Sequence, residues 1–108
     1  QDRDLIDFSV LVKMAEILEG ANMDETVRKM CIQLRPKIEA STNRNFETFI
    51  PLLYSNEYVN GVISMVKILV EPAVNNMLNE CIHVTIYQFL GDVKLQNVAQ
   101  EKTVLDPL

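Results

Sequence analysis

One histidine, two cysteines and a few paired carboxylates are the side chains from which this 108-residue chain could build a reactive centre. On a helix, Glu80 and Tyr87 would lie one turn to either side of His83, sharing one polar face with it. A carboxylate beside an imidazole can orient it as a general base. No nucleophile stands within helical reach, since Cys81 would point about 200° away around the helix. The trio therefore reads as a solvated or locally hydrogen-bonded histidine. Glu80-x-x-His83 also matches one copy of the element that metal-binding bundles repeat on facing helices, and one copy does not make a site. Asp4, Asp7, Glu16 and Glu19 repeat at helical spacing on a polar side, where solvent accounts for them.

Cys31 and Cys81 lack the short spacing of a redox pair, and with a single histidine they make a poor zinc set. Each falls on an apolar stripe of a separate expected helix, so those two helices should pack together. Two outcomes stay open: a pair of buried free thiols, or one disulfide, which export would favour. Closing so long a loop is worth about 4 kcal/mol in the chain-entropy picture. Only Gly20, Gly61 and Gly91 are available, too few for a glycine-rich phosphate cradle. The expectation is a non-enzyme without metal or cofactor.

The charge balance narrows the partners. Ten basic residues against fifteen acidic ones give a formal charge of −5, which argues against nucleic acid. Tyr54, Tyr58 and Tyr87 do not interleave with basic residues as base-stacking surfaces require. A basic stretch from Arg28 to Arg44 nonetheless stands out, and Arg28 and Arg35 are its candidates for holding an anionic group. No apolar run is long enough to span a membrane; the richest, Val59 to Val70, is cut by Lys67. The chain opens at Gln1 without an initiator methionine, which fits removal of a secretory signal and an extracellular location.

Stepping through the chain, the apolar spacing is read as helical almost throughout. Phe8, Leu11, Val12, Ala15 and Leu18 line a first helix, stopped by Gly20 and Asn22. Asp24 caps a second, with Val27, Met30, Cys31, Leu34 and Ile38 as its stripe and Pro36 as an expected kink or early end. Residues 40–45 read as a loop, followed by a short helix from Phe46 to about Tyr54. A helix capped by Ser55 would carry Val59, Val62, Ile63, Val66, Leu69 and Val70. A strand is the rival reading there, disfavoured because the apolar residues do not alternate and Asn60 and Lys67 share one polar side. Pro72 opens a further helix through Phe89, ended by Gly91, and a weak terminal helix follows.

The expected fold is thus all-α: a compact bundle of five or six short helices forming one domain over residues 1–108, its tail frayed from about 104. Three of those helices carry apolar arcs broader than one packed stripe needs. This points to a binding protein for an apolar small molecule or lipid, with Phe8, Leu11, Val62, Val66, Met77 and Phe89 as lining. The alternative is a helical protein–protein interaction or homodimerisation domain using the same surface.

Overall fold

A computed structural model describes residues 23–108. It contains helix α1 (Glu25–Thr42) followed by strands β1 (Thr48–Val59), β2 (Gly61–Glu71), β3 (Cys81–Phe89) and β4 (Asp92–Lys102). The strands form one antiparallel sheet in the order β1-β2-β3-β4, and α1 lies across one face. The all-α bundle is therefore wrong: four of the expected helices are strands. The expected first helix, with Phe8 and Leu11, lies outside the described residues.

Helix α1 follows its sequence signals closely. Asp24 is the N-cap, its carboxylate accepting hydrogen bonds from the backbone N–H groups of Thr26 (2.6 Å) and Val27 (3.4 Å). The stripe Val27, Met30, Cys31, Leu34 and Ile38 is buried against the sheet. Pro36 neither ends the helix nor faces the sheet. It sits on the exposed side, as does Ile32, whose carbonyl it leaves without an intrahelical partner, so water can take that bond. Asn43 then closes the helix in the left-handed conformation, φ 56°.

The sheet explains why strand spacing looked helical. Ser64, Val66, Ile68 and Val70 of β2 face α1, joined by Ile82, Val84 and Ile86 of β3. The opposite face is also largely apolar: Leu52, Cys81 and Val104 form a second buried cluster with Leu53 and Leu69. Residues 103–108 fold back over that outer face, where buried Lys67 donates hydrogen bonds to the carbonyls of Val104 and Asp106 (2.6 Å to the latter). With cover on both faces, apolar residues occur at odd and even positions alike and the alternation of a half-buried strand is lost.

Two irregularities complete the sheet. Pro51 occupies edge strand β1, where prolines in sheets are normally confined, and the register shifts between Pro51 and Leu53. The extra residue, Leu52, turns into the outer cluster. In β4 the register slips twice, and Glu101 at the second bulge has φ 60°.

Candidate functional site

Catalysis finds no assembly among the described residues. His83 is buried in β3 and paired in register with Lys67, and its Nε2 has no hydrogen-bond partner. Burial pushes its pKa down, and Lys67 and Lys102 push the same way. It is neither solvated nor aligned with Glu80, which precedes β3 and is turned to Arg44. Glu80, fully buried, instead pairs with Arg44 at 2.8 and 3.0 Å and accepts the N–H groups of Val74 and Glu101 at 3.1 Å. Burial alone would raise this carboxyl's pKa; Arg44 and the two backbone donors hold it below the usual value instead. No group of three His, Cys, Asp or Glu side chains suited to a metal occurs among the described residues.

The disulfide reading fails as well. Both cysteines are free, Cys31 on the buried stripe of α1 and Cys81 in the cluster on the opposite face of the sheet. The sheet stands between them, and Cys81 is on no helix that could pack against α1. Burial pushes the Cys31 thiol up to about 12 and that of Cys81 to about 11, so neither is a ready nucleophile.

The remaining expected site residues are dispersed. Val66 is fully buried in the core, Met77 sits in the β2–β3 connection and Phe89 lies at the β3–β4 turn. Val62 lines a groove of about 210 Å³ between the start of α1 and the sheet, where Asp24, Asn56, Ser64 and Gln88 stand beside Val27, Met30 and Tyr58, so its walls are mixed rather than apolar. Arg28 pairs with Glu25 at 3.4 Å. Arg35 pairs with Glu39 at 3.2 Å, donates to the Phe46 carbonyl and lies over the Phe49 ring. The broad apolar arcs of the described residues thus become the two covered faces of one sheet, with Val66, Met77 and Phe89 in separate places on it.

What the fold does bring together is a pair of turns. The β1–β2 hairpin reverses through Val59-Asn60-Gly61, and the β3–β4 hairpin through Leu90-Gly91. Leu90 (φ 50°) and Gly91 (φ 86°) both take the positive φ that a two-residue type I′ turn requires. The pairing of Val62 with Gln88 sets the two turns side by side at one end of the sheet, beyond the last β2–β3 pair. There the chain leaves Leu90 88%, Tyr58 75%, Val59 54% and Phe89 38% exposed. Four large apolar side chains concentrated on one narrow edge form a patch that solubility alone would not favour.

The turns also touch each other. The Tyr87 hydroxyl donates to the Asn60 carbonyl, and the Tyr87 and Phe89 rings stack with centroids 6.3 Å apart. Gly61 (φ 112°) is packed so closely that a Cβ there would stand 2.7 Å from the Gln88 carbonyl and 2.8 Å from the Tyr87 ring. Of these residues only Phe89 is among the lining positions expected from the sequence. The signal for the rest was present, since Asn-Gly between apolar runs is a strong hairpin marker.

No family model matches the chain. It is similar to cystatin-B of Paralichthys olivaceus, 28% identical over 94 residues covering 83% of this chain and 90% of that protein. It is also similar to cystatin-B of Oplegnathus fasciatus, 25% identical over 89 residues covering 79% and 83%. Cystatins are non-catalytic, in keeping with the expectation of a non-enzyme. The relationship overturns the lipid-binding reading and the helical interaction domain in its helical part, and the partner it indicates is a protein.

Proposed function

We propose that the chain inhibits proteases by seating its two hairpin turns side by side in the substrate cleft of the target, without being turned over itself. The observation that carries this is the exposure of Tyr58, Val59, Phe89 and Leu90 at one end of the four-stranded sheet. Side chains held ready in this way lose little further freedom on binding. Central apolar anchors of this kind supply most of the energy of a protein interface. Similarity to two cystatin-B proteins supports a protease as the partner.

The test is titration of the full chain against proteases of the cysteine, serine, aspartic and metallo classes, using a small fluorogenic substrate. Reversible inhibition of at least one class is expected, with the chain intact by mass afterwards. Leu90→Ala should weaken that inhibition about 10- to 30-fold and leave the melting temperature unchanged. Inhibition of none of the four classes, or a Leu90→Ala variant as potent as the parent, would reject the proposal.

A further inference from the structure

We infer that Tyr87 is a positioning residue that locks the two hairpin turns into a single binding surface, an assignment that rests on the proposed inhibitory role for its consequence but not for its geometry. The backbone ladder between the two hairpins ends at Val62 and Gln88. Beyond that pair, residues 59–61 and 89–91 belong to separate hairpins, with no ladder hydrogen bond to hold one against the other. Tyr87 spans the gap. Its hydroxyl donates to the carbonyl of Asn60 in the first turn, and its ring stacks on Phe89 beside the second.

The close seat of that ring depends on Gly61. Any side chain there would collide with the Tyr87 ring and hydroxyl, at 2.8 and 2.9 Å, and with the Gln88 carbonyl. The absence of a Cβ on one hairpin and the phenol on the other are complementary halves of one contact. Its effect is to fix Val59 relative to Leu90, so that both enter a cleft in one motion. Without it each turn would have to be ordered separately on binding, at a cost in affinity.

Tyr87→Phe removes the hydroxyl and keeps the stacked ring. In the free protein, backbone order parameters for the Asn60 and Gly61 amides should fall from about 0.8 to about 0.6 or lower, with the melting temperature within about 2 °C of the parent. Against an inhibited protease, Tyr87→Phe should lose about 5-fold in affinity. Val59→Ala and Leu90→Ala should be non-additive in the parent and additive in the Tyr87→Phe background. Unchanged order parameters would overturn the assignment, and so would coupling that survives the loss of the hydroxyl. If the chain inhibits no protease, the functional proposal fails on its own and the order parameters still decide the role of Tyr87.

Discussion

His83 shows how a side chain's chemistry is set by what covers it. Its neighbours are Lys67 on β2, Lys102 on β4, Cys81 on its own strand and Asp106 in the returning C-terminal segment. Only Asp106 favours a charged ring; burial and both lysines oppose it. The folded protein therefore binds this proton less readily than the unfolded chain, whose histidine titrates near the ordinary 6.5. Stability is full above that value and declines as pH falls through it towards the lower folded pKa. His83→Gln should remove the decline, so that urea midpoints measured from pH 7.5 to 5 flatten relative to the parent. Nothing in the sequence marked His83 as buried. Asp106, which acts on it from the returning segment, is 23 positions away, and local spacing carries no trace of that approach.

At the scale of elements, the helix was legible and the strands were not. Val27, Met30, Cys31, Leu34 and Ile38 satisfy helical periodicity and nothing else, and all five are buried. In β2 the same test misled, because Ile63, Met65 and Leu69 on the outer face are as apolar as Val66, Ile68 and Val70 beneath the helix. Loop composition marks the break at 71 and the one that follows the helix, although residues 40–42 still belong to the helix, and the expected break at Ser55 falls inside β1. The end of the sheet opposite the exposed turns is tied by Arg44, which follows the helix and reaches Glu80 before β3, Gln100 in β4 and the Pro72 carbonyl. Arg44→Met leaves the Glu80 carboxylate buried with only its backbone donors, and should cost about 3 kcal/mol in denaturant unfolding. Because the folded Glu80 pKa is depressed, the parent's advantage over the variant should be full at neutral pH. It should shrink as pH falls below the ordinary carboxylate value of 4.5.

On the scale of the whole molecule, the site is a product of topology. Tyr58, Val59, Phe89 and Leu90 are about thirty residues apart as two pairs, and only the antiparallel pairing of β2 with β3 makes them neighbours. A helical reading puts Phe89 into a supposed cavity lining and passes over Tyr58, Val59 and Leu90. Asn60-Gly61 and Leu90-Gly91 held the local clue to each turn. That the turns share one edge could be known only once the strand order was known.

The same topology gives the protein a built-in optical reporter. It has no tryptophan; of its three tyrosines, Tyr58 and Tyr87 lie at the end of the sheet that carries the exposed turns, and Tyr54 lies at mid-sheet opposite Val66, packed against the core. Much of the ultraviolet emission from the unlabelled chain therefore originates near the exposed turns, with Tyr54 as a second, interior source. A partner that covers that edge should change the tyrosine emission, whereas one that docks on the exposed side of α1 should leave it unaltered. Tyr58→Phe should remove much of the response, as a fluorescence titration with a tryptophan-free partner would read directly.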